Sequence, residues 1–212
     1  MSSVMSAPKM RVPHEQFLGL DLEVHAILSD VRLRDVTAID LPAGGAGRTI
    51  SDVRSLMARE KRLAANPAVR FLVALRLMLG RLFRWDSTGH AHPEMSYLHR
   101  LSSDIKRRSV VAPGSPDGPF RLLYVLEKES LAEIRNATVH AFLSSVLIET
   151  PLGYRLYLAV YVKPVSRLTP LYMALIEPFR RFIVYPAIGR VYRKAWEERY
   201  PRSRDAHAPG TV

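Results

Sequence analysis

The sequence predicts an α+β fold in which an antiparallel sheet wraps around a long C-terminal helix, with two helices inserted after the first strand. Three observations support this prediction. Apolar residues recur at helical spacing between residues 49 and 85, they alternate with a period of two from Phe120 onwards, and a long amphipathic segment covers residues 168–199. This order of elements is typical of a single curved sheet that packs on its last helix.

The N-terminal part begins with a weak helical pattern in residues 14–29, followed by strand-like alternation over residues 30–42. A first helix is expected to start near Thr49 or Ser51, because either hydroxyl group can accept a hydrogen bond from the helix N-terminus. Asn66 and Pro67 then fit the start of a second helix, which runs to about residue 85. That helix is apolar nearly all round, so we expect it to be largely buried.

The central region has a short helix or irregular segment at residues 96–109 and a turn-rich connection at residues 111–119. Period-two alternation then covers residues 120–130, 131–150 and 154–166, which predicts three or four antiparallel strands. The densest polar run is "EIRNATVH", residues 133–140. If this run is one strand, one face carries Asn136, Thr138 and His140, and the other face carries Glu133 and Arg135.

The C-terminal stretch "LTPLYMALIEPFRRFIVYPAI", residues 168–188, has the length of a membrane span but contains Glu177, Arg180 and Arg181. Each charge near the middle of a bilayer costs about 2.5–3.5 kcal/mol, whereas each Leu or Ile returns only about 0.3–0.6 kcal/mol. The three charges therefore exclude a span. They share one side of a helical wheel, which predicts an amphipathic helix over residues 168–184 and a second piece over residues 186–199, with the apolar side on the sheet.

The chain of 212 residues predicts one domain over residues 14–200, between a disordered N-terminus at 1–13 and a disordered tail at 201–212. It has no cysteine, which excludes disulfides and a cysteine nucleophile, and it starts without an apolar leader, so we expect a cytoplasmic protein. The net charge of +11 suits an anionic membrane surface or nucleic acid. Because the sequence has no helix-turn-helix or zinc-finger pattern, nothing favours nucleic acid.

Two stretches carry a resemblance to a known family: "NPAVRFLVALRLMLGRLF" at residues 66–83 and "GYRLYLAVYVKPVSRLTPLYMALIEPFRRFIVYPAIGRV" at residues 153–191. Over roughly residues 30–198 the chain resembles the bacterial DUF2867 family, which is similar to the START-like, helix-grip (SRPBCC) proteins. The resemblance implies a helix-grip fold and no particular activity. Many members have a histidine before Arg181 where this chain has Arg180, so no role of that imidazole is carried over.

A sheet that grips a helix often leaves an apolar cavity between them, which suits a hydrophobic small molecule or a lipid. We therefore expect this chain to bind such a ligand. Asn136, Thr138 and His140 would orient it if they faced inward, although the apolar residues on the other side of the strand favour a solvent-facing position for these three. The expected apolar walls are Phe142, Leu156, Leu158, Val160, Leu175, Phe179 and Phe182.

An alternative function is a small-molecule enzyme of the cyclase, isomerase or hydrolase type. His140 or Glu133 would then lie inside the cavity and act as a general acid or base, a task suited to an imidazole or a buried carboxyl group. Glu133 and Arg135 would form either a buried pair at the cavity mouth or an ordinary cross-strand surface pair, which contributes roughly a few tenths of a kcal/mol. The sequence leaves both interpretations open and favours the surface pair.

A third alternative is a peripheral membrane or partner-binding protein, in which Arg180 and Arg181 bind anionic groups at a surface. A homodimer through an exposed sheet face also stays open. No cofactor is predicted. The histidine-rich loop with His90, His92 and His99 lacks the spacing of a structural metal site, so no metal is predicted either.

Overall fold

The computed structural model of the chain describes residues 11–60, 96–135, 139–164 and 185–201. The described helices are α1 (His14–Leu18), α2 (Glu23–Ile27), α3 (Ile50–Arg59), a 3₁₀ turn (Tyr97–Arg100), α4 (Ser103–Arg108) and α5 (Tyr185–Arg199). The described strands are β1 (Arg32–Pro42), β2 (Pro116–Asp117), β3 (Phe120–Val125), β4 (Glu129–Arg135), β5 (Val139–Thr150) and β6 (Gly153–Pro164).

The strands form one open antiparallel sheet of six strands in the order β1-β6-β5-β4-β3-β2. The predicted α+β class is therefore confirmed. β5 and β6 pair along their whole lengths, from Val139 opposite Pro164 to Thr150 opposite Gly153. Since β1 pairs with β6, the first described strand lies beside the last described one, and α5 packs against β1.

Several boundaries agree with the sequence patterns. The strand predicted over residues 30–42 is β1, and the first predicted helix is α3. Thr49 caps α3 in a capping box, in which the Thr49 backbone N–H donates to Asp52 Oδ2 at 2.8 Å. The C-terminal piece predicted over residues 186–199 is α5. The second predicted helix, up to residue 85, and the helix predicted over residues 168–184 lie outside the described residues.

The interpretation of residues 133–140 as one strand is wrong. β4 ends at Arg135 and β5 begins at Val139, and the two strands are antiparallel neighbours in which Arg135 lies opposite His140. Glu133 lies opposite Phe142, so Glu133 and His140 share a face instead of occupying opposite faces. Asn136 and Thr138 lie outside the described residues.

The sheet separates two apolar cores. Face A is the side that carries Phe142, Val146 and Tyr161, and it is covered by α1, α2, the 3₁₀ turn and α4. Face B is the side that carries Leu147 and Leu156, and it is covered by α3 and α5. Strand alternation produces this division, because consecutive side chains of a strand point to opposite sides of the sheet.

Helix α5 is attached to β1 by Trp196, which is fully buried. The Trp196 indole Nε1–H donates to the Pro42 carbonyl at 3.0 Å, and its ring packs edge-on against Tyr154 at 5.7 Å between centroids. Arg193 adds a hydrogen bond from Nε to the Asp40 carbonyl at 3.2 Å. These contacts place the apolar side of α5 on face B, as the amphipathic pattern predicted. None of the helices in the described parts of the chain is long and apolar enough to cross a bilayer.

Candidate functional site

A cavity of about 600 Å³ lies on face B, between the sheet, α3 and α5. This volume falls in the range of roughly 300–1,000 Å³ that is typical of small-molecule sites. The sheet supplies a mostly apolar floor with residues of β3, β5 and β6: Val125, Leu143, Ser145, Leu156 and Leu158.

Helix α3 forms a wall of this cavity with the side chains of Ile50, Val53 and Met57. These residues are spaced i, i+3 and i+7, so they share one side of the helix. The start of α3 is held at the sheet by a hydrogen bond from the Ile50 N–H to the Glu127 carbonyl at 2.9 Å. At the rim, Val110 keeps 67% of its surface exposed, which gives the cavity an apolar edge towards solvent.

Three polar side chains from three different elements also line the cavity: Arg54 of α3, Asp117 of β2 and Tyr192 of α5. We call this group the polar corner. Arg54 Nη2 lies 3.2 Å from Asp117 Oδ2, and both side chains remain partly exposed. Burial raises the pKa of the Tyr192 phenol to about 12, with Arg54 opposing and Asp117 adding to the shift. The phenol therefore keeps its proton at neutral pH and can donate a hydrogen bond.

A second polar cluster lies on face A around Glu133. His140 Nε2 lies 2.9 Å from Glu133 Oε2, the Tyr97 backbone N–H donates to the same oxygen at 3.1 Å, and the Ser96 hydroxyl donates to Oε1. Burial would raise the pKa of Glu133, but the hydrogen bonds from His140, Ser96 and Tyr97 outweigh burial and hold it below its usual value. Since an ionised carboxylate only accepts hydrogen bonds, Nε2 is the protonated nitrogen of His140 in this contact.

Tyr97 covers this cluster. Its ring packs against His140 and Phe142, with centroids 5.3 Å and 4.6 Å apart. Its hydroxyl group accepts a hydrogen bond from Lys163 Nζ at 3.0 Å and lies 3.2 Å from Asp30 Oδ2. The cluster thus connects β4 and β5 to the 3₁₀ turn and leaves Glu133 and His140 without open access to solvent.

The structure corrects two expectations about this strand pair. His140 does not face solvent, because only 3% of its surface is exposed. Glu133 does not form a surface pair with Arg135, because its carboxylate is buried and bonded to Ser96, Tyr97 and His140. Both corrections follow from the chain reversal between β4 and β5, which brings Glu133 and His140 to adjacent positions on face A.

The predicted wall residues fall into three groups. Leu156 and Leu158 line the cavity on face B, and Val160 shares that face without lining the cavity. Phe142 lies on face A with His140, in the other core. Leu175, Phe179 and Phe182 lie outside the described residues, as do the predicted anion-binding residues Arg180 and Arg181.

The sequence patterns did not indicate the polar corner. Asp117 follows Arg54 by 63 positions and Tyr192 follows Asp117 by 75, and each of them looks like an ordinary residue of its own element. The apolar spacing of α3 was visible, but it does not say what that helix covers. Among the described residues, no group of three or more His, Asp or Glu side chains could hold a metal ion.

Comparison with known proteins identifies a family. A family model described as "Protein of unknown function (DUF2867)" matches residues 27–187, which is more than half of the chain. No curated protein and no solved structure matches the chain. Of the two stretches on which the resemblance was based, residues 66–83 lie within the matched range, and residues 153–191 lie within it up to residue 187. The chain belongs to the DUF2867 family.

Proposed function

We propose that this protein binds a hydrophobic small molecule or a lipid in the face B cavity, between the sheet and the C-terminal helix. The observation that carries the proposal is the cavity itself, with a volume of about 600 Å³ and a floor of Val125, Leu143, Leu156 and Leu158. Apolar surface exposed to water in such a cavity is a source of binding free energy, about 25 cal/mol for each Å² that a ligand covers.

The same proposal includes a helix-grip arrangement and a relationship to the START-like (SRPBCC) proteins. It is supported by an antiparallel sheet whose face B packs on α5 and by the cavity beside that helix. Face A is also covered, by α1, α2 and α4, which adds a second layer of helices to this arrangement. A cytoplasmic location belongs to the proposal too, and the lack of cysteine supports it.

An enzyme that uses His140 or Glu133 receives less support from the geometry. Both side chains lie on face A beneath Tyr97, and the carboxylate of Glu133 is already bonded by three donors. A general base needs an acceptor within reach of a substrate proton, and this carboxylate is enclosed by protein groups. We infer a structural role for this pair.

Native mass spectrometry of the freshly purified protein, followed by organic extraction, tests whether a ligand is carried through purification. An adduct of a few hundred daltons would support the proposal and identify the chemical class. The same spectrum reports a homodimer. Titration with a neutral apolar dye such as Nile red, followed by its fluorescence, tests the cavity even when the purified protein is empty.

The dye titration has two cavity variants and one matched control. Leu158→Trp places a large side chain on the cavity floor, and Ala58→Trp places one at an exposed position of α3 that lines the cavity. Both are expected to lower the affinity for the dye. Leu152→Trp is the control, because Leu152 lies in the turn between β5 and β6 and is 85% exposed. Equal dye binding by all three folded variants would refute a face B site.

A vesicle assay separates a lipid taken into the cavity from a charged membrane surface. Neutral and anionic vesicles are compared at low and high salt, since attraction between a basic protein and anionic headgroups weakens with salt. The cavity would be supported as a lipid-binding site if the wild-type protein extracted labelled lipid from neutral vesicles and the Leu158→Trp variant did not. Binding only to anionic vesicles, unchanged in that variant, would favour the peripheral membrane alternative instead.

A further inference from the structure

The polar corner of the face B cavity restricts what the ligand can be. Resting on the proposed function, we propose that the ligand is an apolar molecule with one uncharged oxygen acceptor, a ketone, ester or similar carbonyl group, which Tyr192 and Arg54 bind. The proposal adds a ligand class to a cavity for which apolar walls alone would accept any small hydrophobic molecule.

The polar corner offers hydrogen-bond donors for a ligand. Tyr192 lines the cavity, and its hydroxyl group has no hydrogen-bond partner among the described residues. Arg54 contacts Asp117 through Nη2, which leaves other N–H groups of its guanidinium without a partner in the described part of the chain. A polar group that loses water without gaining a partner costs about 1–3 kcal/mol. A ligand that covers this corner therefore gains if it brings an acceptor.

The charges of the polar corner also restrict the ligand. Arg54 and Asp117 carry opposite charges and lie 3.2 Å apart, so the polar corner has donors but no net charge. A ligand carboxylate would be attracted by Arg54 and repelled by Asp117, and it would also lose its hydration on entering an apolar cavity. A neutral carbonyl oxygen accepts the same hydrogen bonds without either cost. The corner therefore favours a neutral acceptor over an anion.

The positions of the polar and apolar side chains give the ligand an orientation. Arg54 belongs to α3, Asp117 to β2 and Tyr192 to α5, whereas the middle of β5 and β6 supplies Leu143 and Leu158. The charged and phenolic groups thus lie on α3, β2 and α5, whereas the apolar floor lies on the middle of the sheet. Helix α3 adds apolar side chains beside Arg54. This arrangement matches an amphipathic molecule with its carbonyl group at the helices and its apolar body on the sheet.

Three probes with the same apolar body test the proposal by displacement of Nile red: butylbenzene, para-butylacetophenone and para-butylbenzoate. In the wild-type protein the ketone is expected to bind about tenfold more tightly than butylbenzene, which is the contribution of roughly one hydrogen bond to a preorganised donor. The benzoate, which is ionised at neutral pH, is expected to bind more weakly than the ketone.

Two variants assign the effect to the polar corner. Tyr192→Phe should remove the advantage of the ketone and leave butylbenzene unchanged, with Tyr200→Phe as the control at the end of the same helix. Asp117→Asn should raise the affinity for the benzoate about tenfold, because the charge of Arg54 is then unbalanced. Asp104→Asn is its control, since it makes the same change of charge in α4 away from the cavity.

These measurements distinguish a wrong ligand class from the absence of a ligand site. The proposed ligand class would be overturned if the wild-type protein bound the benzoate more tightly than the ketone. An unchanged ketone affinity in a folded Tyr192→Phe variant would also overturn it. In both cases, binding of butylbenzene would still support the cavity as a ligand site. Failure of all three probes and of the dye to bind would overturn the proposed function together with the ligand class.

Discussion

Two glutamates are buried on face A, four positions apart in β4, and their surroundings shift their pKa values in opposite directions. Burial raises the pKa of Glu129, and hydrogen bonds from the Glu23 backbone N–H at 2.8 Å and the Tyr124 hydroxyl at 2.9 Å offset this only partly. Glu133 receives hydrogen bonds from Ser96, Tyr97 and His140, which more than offset its burial. The number and kind of donors therefore decide which charge state each carboxyl group prefers.

Replacing Glu133 by Gln is expected to destabilise the protein at neutral pH by about 2 kcal/mol, because the amide offers one uncharged acceptor oxygen in place of the two charged oxygens that accept from Ser96, Tyr97 and His140. The pKa of Glu133 is lower in the folded than in the unfolded protein, so its stabilising effect is present above the unfolded value of about 4.3 and is lost as the pH falls through the folded value. Urea unfolding at pH 7 and at about pH 3 measures this. The difference in the free energy of unfolding between variant and wild type should be smaller at the lower pH.

The Glu129→Gln variant should show the opposite trend. Because the folded protein raises the pKa of Glu129, ionisation of this carboxyl group opposes folding as the pH rises from the unfolded towards the folded pKa. The free energy of unfolding of the variant should therefore rise relative to that of the wild type as the pH rises over that interval. The same urea titrations measure both variants, and a parallel pH dependence of the two would contradict the opposite shifts.

The loop between β1 and α3 controls how closely α5 approaches the sheet. Gly44 has a φ of +104°, and a Cβ atom there would lie 2.6 Å from Trp196 Cζ2. Tyr154 holds the same loop, because its hydroxyl donates to the Gly45 carbonyl at 2.7 Å and accepts from the Arg48 N–H at 3.1 Å. Absence of a side chain at Gly44 thus allows the indole to pack directly on the backbone.

Gly44→Ala is expected to destabilise the protein more than Gly47→Ala. Both glycines have positive φ, a conformation that costs a residue with Cβ about 1–2 kcal/mol. At Gly47 a Cβ would meet nothing within 4 Å, whereas at Gly44 it would collide with Trp196 and add about 1–3 kcal/mol of overpacking. Chemical unfolding of the two variants gives the difference directly. Equal losses would mean that the indole moves aside at no cost.

Trp196→Ala tests the attachment of α5. Removal of this fully buried ring should cost about 3–5 kcal/mol, through lost burial and the cavity that remains. Because the indole also donates to the Pro42 carbonyl, hydrogen exchange should accelerate in α5 and at the end of β1 before it changes in β4. A uniform acceleration throughout the sheet would instead show that α5 and the sheet unfold as one unit.

In the described part of the chain, the two apolar cores lie on opposite faces of one sheet, and they differ in how completely side chains fill them. Face A is packed with aromatic rings and buried hydrogen-bonded carboxylates, such as the cluster of Tyr97, His140 and Glu133. Face B contains a cavity of about 600 Å³ beside α3 and α5. Buried hydrogen bonds on face A therefore stabilise the fold, and face B is the side on which we propose a ligand site.

A ligand in the face B cavity should stabilise the folded protein by linkage. At a free concentration of about one hundred times its Kd, para-butylacetophenone should raise the free energy of unfolding by roughly 2.7 kcal/mol. Thermal unfolding with and without the ketone measures this, and Ala58→Trp should lose most of the stabilisation while keeping its fold. A similar rise of Tm in the wild type and in Ala58→Trp would indicate binding elsewhere on the protein.

Local patterns in the sequence predicted a good part of this fold. The alternation of residues 30–42 corresponds to β1, the hydroxyl of Thr49 caps α3, and the amphipathic pattern of residues 186–199 corresponds to α5. These features depend on neighbours a few positions away, such as Asp52 for the cap, and for that reason they are visible without tertiary contacts. The resemblance to the DUF2867 family agrees with the family model that matches residues 27–187.

The pairing of Glu133 with His140, and the polar corner of Arg54, Asp117 and Tyr192, could not be predicted in this way. A polar run such as residues 133–140 fits a continuous strand as well as a reversal, and alternation shows which residues share a face but not which element covers it. A cavity is the space left when elements distant in sequence pack together. Its shape and its polar lining therefore depend on contacts between α3, β2 and α5, which no local pattern encodes.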